Sequence, residues 1–314
     1  MLRAILQRLG PSAAPVGPGD DAAVLEVGDG RVVATTDTLV HGPDFRLAWS
    51  TAFDLGWKAA AVNLADVAAM GARPVALLVA LAVPDSTRLS FVTGLADGLR
   101  AACESLAPGC AVEGGDLTVS DTLTIAVTAL GALDGGAPVL RRGARPGDVV
   151  ALAGEAGLAA RGLAVLFQRF RDGTGEPLAI EPGALAESEA AAVAAQLRPA
   201  PPIGLGPLAA RAGATAMMDV SDGLALDATR MADASAVTIA LDSGLIGGDG
   251  ELALGGGEDH ALLAAFPEAA ALPPAFRRIG VVRPREDVPL VVDGRPWQGR
   301  GGWDPYHDWD AGRG

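Results

Sequence analysis

Residues 63–84 read NLADVAAMGARPVALLVALAVP, and this stretch limits the fold more than any other. Its first part continues a helical pattern that begins near Trp49, runs to Met70 and stops at Gly71, a residue suited to the left-handed turn that ends helices. Its second part, Val75 to Val83, is an unbroken apolar run with the length of a buried strand, about half of what a bilayer-spanning helix needs. A helix leading into such a strand predicts α/β layers and no membrane span. Asp66 is out of keeping with its apolar neighbours. A buried carboxylate must be paired, metal-bound or protonated, because a stranded charge is very costly. Asn63 lies three residues earlier and therefore on the same helix face. An ion pair with Lys58, the only lysine in the chain, or with an arginine is one outcome; a metal is the other.

The rest of the chain repeats the alternation. VVATTD reads as a strand after Arg31, Thr87 to Leu106 as a helix, and AVEGGD and TLTIAVTALG as two strands around a polar turn. The turn-rich segment Leu140 to Asp148 breaks the pattern and predicts a boundary between residues 1–139 and 140–314. Beyond it, VVALAG starts a second α/β unit. Helices are expected near Leu158 to Phe170, Glu187 to Leu197 and Pro207 to Ala212, and ATAMMDVSDGLALDATRMA reads as a strand entering a helix. Further strands are expected at Val237 to Leu241, Ala261 to Phe266, Arg277 to Val282 and Val288 to Val292, with Arg171 to Pro182 a flexible surface loop.

The chain of 314 residues is half apolar, enough for one large domain or two ordinary ones. Its net charge of -14 and lack of a basic stripe argue against nucleic acid. Cys103 and Cys110 lack zinc-site spacing and read as buried reduced thiols. The opening MLRAILQRLG is not a secretory signal, so a cytoplasmic protein is expected.

Short acidic motifs recur where elements end: GDDAA (19–23), TTD (35–37), NLAD (63–66), EGGD (113–116), DVSDG (219–223) and GGGED (255–259). Each alone is an ordinary turn or helix cap; Ser221 or Asp222 would serve as the cap of a helix starting at Leu224. Together they suggest more, since α/β folds gather ligands in loops at strand ends. Oxygen-only ligands favour Mg²⁺, Mn²⁺ or Ca²⁺, and Mg²⁺ is usually shared with substrate phosphates. Neither a P-loop nor a GxGxxG turn is present, so metals, backbone amides and arginines such as Arg142 must hold any phosphate.

In this order, GPGDDAAVL, TTDTLV, WKAAAVNLADVAAMGARP, EGGDLT, RRGARPGD, MMDVSDGLALD and LGGGEDHAL resemble the thiamine-monophosphate kinase family, within the superfamily of aminoimidazole ribonucleotide synthetase and selenophosphate synthetase. The resemblance runs from Gly17 to about Leu262. It implies a two-domain α/β fold: an N-terminal mixed sheet or half-barrel with helices that binds ATP and Mg²⁺ and forms a homodimer, and a C-terminal α/β sandwich that completes the active site. It also implies transfer of the ATP γ-phosphoryl group to thiamine monophosphate with several Mg²⁺ ions. By the same matching Asp21, Thr35, Thr36, Asp37, Asp66, Asp116, Asp219 and Asp222 are metal ligands, Gly115, Asp116, Ser221 and Arg142 meet ATP, and Glu258 meets the thiamine substrate. Two places depart from the pattern. Asp44 stands where a substrate-contacting His is common, and the tail GWDPYHDWD offers Trp309, Trp303 or Tyr306 as the substrate-contacting aromatic.

The acceptor phosphate has a second pKa of about 6 and is mostly ionised at neutral pH, so no strong general base is needed. The motifs accordingly supply no activated Ser or Cys nucleophile, and direct in-line transfer is expected. A sister enzyme of the superfamily and a non-catalytic Mg-nucleotide sensor are the rival readings; the missing N-terminal Cys and Lys argue against a selenophosphate synthetase.

Overall fold

The computed structural model describes residues 2–10, 14, 25–26, 28, 30–181, 183–248, 250–299 and 302. Asp21, Trp303, Tyr306 and Trp309 lie outside the described residues. Among those described, the first half contains α1 (Leu2–Arg8), β1 (Val32–Val40), α2 (Ala52–Ala69), β2 (Arg73–Val83), α3 (Leu89–Leu106), β3 (Ala111–Val119) and β4 (Thr124–Ala132). The second half contains β5 (Val149–Ala153), α4 (Leu158–Arg169), α5 (Glu187–Leu197), α6 (Leu205–Arg211), β6 (Ala216–Val220), α7 (Leu224–Ser235) and β7 (Val237–Leu241). It continues with α8 (Ser243–Ile246), α9 (Gly250–Gly255), β8 (Ala261–Phe266), β9 (Arg277–Pro284), β10 (Leu290–Val292) and β11 (Arg295–Pro296). No helix among the described residues is long and apolar enough to cross a membrane.

The helix α2 starts three residues later than the apolar pattern suggests, because Thr51 and Asp54 form a capping box. Asp54 N donates to Thr51 Oγ1 (3.2 Å), and Thr51 N donates to the Asp54 carboxylate (2.9 Å). It stops where Gly71 adopts φ +74° and donates to Ala68 O (2.8 Å). Along its length it packs on α3 through a reciprocal notch. A Cβ on Gly56 would lie 2.0 Å from Leu95 O, and one on Gly98 would lie 2.1 Å from Phe53 O, so glycine allows the two backbones to touch.

The first sheet has the order β1-β4-β2-β3, antiparallel except for the parallel β2–β3 pair. Strand alternation sorts its side chains. Leu77, Val79, Leu81, Ile125, Val127 and Ala129 face α2 and α3 in one core, with Val33, Leu39 and Leu117 at its margin. The opposite face carries Val32, Thr36, Thr38, Ala80 and Asp116, all exposed.

The second sheet has the order β11-β10-β7-β9-β5-β8-β6 and is antiparallel except for β10–β7. One face packs on α7 through Leu152, Met218, Leu263 and Met231. The other meets Ala209 of α6, Ala69 at the end of α2 and Val139 through Ala151, Met217, Leu262 and Phe266. This cluster is the seam between α2 and the second sheet, and it brings β6 against α2. A loop that includes Asp44 is anchored by Trp49, whose Nε1 donates to Phe170 O (3.1 Å) after α4.

Candidate active site

The face shared by Asn63 and Asp66 lies against β1. Asp37 N donates to Asn63 Oδ1 (3.0 Å), Asn63 Nδ2 donates to Ala59 O (2.9 Å), and Thr35 Oγ1 donates to Asp66 Oδ2 (2.8 Å). Thr35 and Asp37 share this face because strand residues two apart point the same way. Asp219, the fourth residue of β6, approaches from across the seam. Burial, then the charges of Asp219 and Asp37, push the Asp66 carboxyl up to about 7, although the Thr35 hydroxyl opposes them. Burial first, then Asp219, Asp222 and Glu258, also raises Asp37, against the pull of His260. Such mutual repulsion requires these carboxylates to converge from both halves of the chain.

The loop GGGEDH between α9 and β8 supplies three consecutive anchors. Glu258 pairs with Lys58 (Oε2 to Nζ, 2.5 Å), so the lysine is matched with this residue and not with Asp66. Asp259 accepts from Gly157 N (2.6 Å) and Ala159 N (2.8 Å), capping α4 from a distance. His260 Nδ1 lies 3.1 Å from Asp219 Oδ2, with both side chains buried. Glu258 and His260 sit at φ +74° and +51°, conformations that cost energy outside glycine and that cluster at functional sites. They persist here because Glu258 N donates to Ser221 O (2.8 Å) and His260 N to Val220 O (3.1 Å). Burial disfavours ionisation of Glu258, yet Lys58 and then His260 outweigh it and hold the carboxyl below its ordinary range. Burial likewise works against a charged His260, but Asp219 and Glu258 prevail and raise its pKa. Asp44 joins this end of the site. Its carboxylate accepts from Val40 N (2.7 Å), and burial followed by the charge of Glu258 raises its pKa, against that hydrogen bond, Lys58 and Arg46.

The remaining sequence candidates separate from this cluster. Thr36 faces the open side of the sheet, donating to Val127 O (3.0 Å) and accepting from Thr128 Oγ1 (3.2 Å). Asp116 is on the same open side, and the register Asp37–Val127–Val79–Gly115 puts it three strand spacings, about 14 Å, from Asp37. Gly115 has a packing reason of its own: a Cβ there would lie 2.0 Å from Val79 O. Neither Ser221 nor Asp222 caps α7, whose N-cap is Gly223 without a side-chain bond. Asp222 instead pairs with Arg230 (2.6 Å), and its N–H donates to Asp227 Oδ2 (3.1 Å). Burial, then Asp222, raises buried Asp227 to about 6 despite Arg230.

A cleft of about 1140 Å³ opens from the carboxylates along β1, roomy enough for a nucleotide. It is lined by Thr35, Asp66 and Asp219, by the apolar Met70, Leu140, Met217 and Met218, and by Arg31, Arg141 and Arg142. The donors are all oxygen on the acidic side, which suits a hard cation. Among the described residues no group of three or more His, Cys, Asp or Glu side chains is placed to hold a metal ion. His260, Asp259 and the Lys58–Glu258 pair are functional features that local pattern does not single out; their one signal in the chain is the acidic pair after three glycines in GGGEDH.

A family model of AIR synthase related protein, N-terminal domain, matches residues 19–133, and that of the C-terminal domain matches residues 145–288. A thiamine-monophosphate kinase of Mycobacterium tuberculosis is 39% identical over 98% of this chain and 91% of its own length. The chain belongs to the thiamine-monophosphate kinase family. The crystal structure of a thiamine-monophosphate kinase from Stenotrophomonas maltophilia covers 94% of this chain and 96% of its own with a TM-score of 0.79 at 31% identity. AaThiL complexed with AMPPCP and TMP matches with a TM-score of 0.74 at 32% identity, covering 90% of each chain. The two-layered α/β architecture is thus that of the family.

Proposed function

We propose that the chain transfers the γ-phosphoryl group of ATP to thiamine monophosphate, forming thiamine diphosphate and ADP, the last step of thiamine diphosphate biosynthesis. The observation that carries this reading is the convergence of Asp37, Asp66 and Asp219, from β1, α2 and β6, beside a nucleotide-sized cleft that Asp66 and Asp219 line. Family membership supports the same substrates, since AaThiL was solved with an ATP analogue and TMP.

Mg²⁺ ions would be held by Thr35, Asp37, Asp66 and Asp219, with Asp21 added by the family matching; Thr36 and Asp116, on the open face of the sheet, and Asp222, paired with Arg230, lie apart from that cluster. When bound they screen the repulsion between donor and acceptor phosphates. The protein's part is to bind and align. Arg142, which lines the cleft, and Ser221 would hold ATP, whereas Gly115 and Asp116 on β3 do not line it; Asp44 and Glu258, joined by Trp309, Trp303 or Tyr306, would receive the cationic thiamine portion. His260 is buried against Asp219 and would orient that carboxylate. An acceptor already ionised needs no general base, which supports direct in-line transfer without a phosphoenzyme.

In this reading residues 1–139 form the ATP- and Mg²⁺-binding and dimerisation domain, and residues 140–314 complete the active site of a cytoplasmic homodimer. The exposed face of the first sheet supports the dimer, because its Val32, Ala80 and threonines present little charge to water. It also carries Thr36 and Asp116, which a second copy docked on this face would cover.

Incubation with Mg-ATP and thiamine monophosphate should yield equal amounts of ADP and thiamine diphosphate. Tight ATP binding with no diphosphate formed would instead favour a sensor.

A further inference from the structure

Lys58 is buried in α2 with its ammonium 2.5 Å from Glu258 Oε2. With its amide oxygen turned toward the ammonium, buried Gln196 of α5 accepts from Nζ (3.3 Å) and donates to Ala159 O of α4 (3.2 Å). Lysine is seldom so enclosed without a fixed partner. Its side chain is 6% exposed, whereas that of Glu258 is 41% exposed even though Oε2 is fully buried. The exposure therefore belongs to the rest of the side chain, its methylenes and Oε1, while the ion pair holds Oε2 against Lys58.

We propose that Lys58 is a positioning residue for substrate recognition, fixing Glu258 so that its Oε1 meets the cationic portion of the substrate. The proposal rests on the kinase reading above and adds a residue and a geometry to it. Lys58 and Asp66 are eight residues apart on α2, so helix rise separates them by about 12 Å along one face. One rigid helix thus sets the distance between the carboxylate that holds the cation and the carboxylates at the reacting phosphates. A substrate with a positive ring system and a phosphate tail can bridge the two; a nucleotide alone engages only the second.

Because Lys58 is the only lysine, ¹³C-lysine labelling gives a single side-chain signal in the full-length protein. Glu258→Gln should shift that signal, and thiamine monophosphate should perturb it while an ATP analogue leaves it in place. In kinetics, Lys58→Met should raise KM for thiamine monophosphate at least tenfold while KM for Mg-ATP stays within about twofold, and Lys58→Arg should recover part of the loss. A purely structural role predicts lower kcat and lower melting temperature in both variants with no split between the KM values, and that result overturns the proposal. A folded Lys58→Met with unchanged KM for thiamine monophosphate overturns it too. Failure of the wild-type protein to make thiamine diphosphate would refute the kinase reading instead, and the lysine signal would still report whether Glu258 and Lys58 are paired.

Discussion

Asp66 gives the most quantitative expectation, because its carboxyl is held at about 7 by burial and by Asp219 and Asp37. A metal must displace the proton to bind there, so Mg²⁺ binding and proton release are linked. With a pKa of about 7 the group is ionised to about one-tenth at pH 6, about half at pH 7 and about nine-tenths at pH 8. Mg²⁺ titrated into nucleotide-free protein should therefore release about 0.9 proton at pH 6, falling to about 0.1 at pH 8, with apparent affinity rising about tenfold over that range. Titration calorimetry in two buffers of different ionisation enthalpy counts the protons directly. Asp66→Asn should abolish most of the release at pH 6. If the wild-type protein releases none at that pH, or if Asp66→Asn releases as much, the inferred crowding of carboxylates is wrong.

The same crowding should appear in stability. Asp66, Asp227 and His260 all have folded pKa values above their unfolded ones, so each contributes stability that is present at low pH and is lost as pH rises through its folded value. The metal-free protein should lose melting temperature between pH 5.5 and 8, and Mg²⁺ should restore most at the alkaline end; a flat profile in scanning calorimetry would count against it. Gly98→Ala places a Cβ 2.1 Å from Phe53 O and should cost at least the upper part of the ~1–3 kcal/mol typical of overpacking, read as a lower urea midpoint. An unchanged midpoint would mean that α2 and α3 do not touch as described. Asp259→Ala removes both bonds to the start of α4 and should cost about 1–2 kcal/mol while raising KM for thiamine monophosphate, because Glu258 is its neighbour. Full stability and unchanged KM would show that the cap does not hold the loop.

Local pattern made much of the fold legible. Gly71 ends α2 as expected, Val75–Val83 lies wholly within β2, and the turn-rich 140–148 segment separates the two sheets. Starts and short elements were less legible. The capping box at Thr51 overrode an apolar pattern that reaches back to Trp49, and α1, α8, α9 and β11 are too short for periodicity to declare them. For the site, spacing correctly put Asn63 and Asp66 on one face, but what that face meets depends on β1, about 30 residues away. Lys58 illustrates the limit. Proximity on α2 made Asp66 its natural partner in sequence, whereas the tertiary fold supplies Glu258 from two hundred residues downstream. His260 was equally hidden, since only the left-handed turns at Glu258 and His260 turn the end of GGGEDH onto Asp219.

In the proposed reaction, carboxylates from both halves of the chain hold divalent cations against a bound polyphosphate. Electron paramagnetic resonance can count bound Mn²⁺ in the presence of AMPPCP, in wild-type protein and in Asp66→Asn. The wild-type protein should bind more than one ion per chain, and the folded variant should bind at least one fewer. Equal stoichiometry and affinity in the two proteins would contradict the claim.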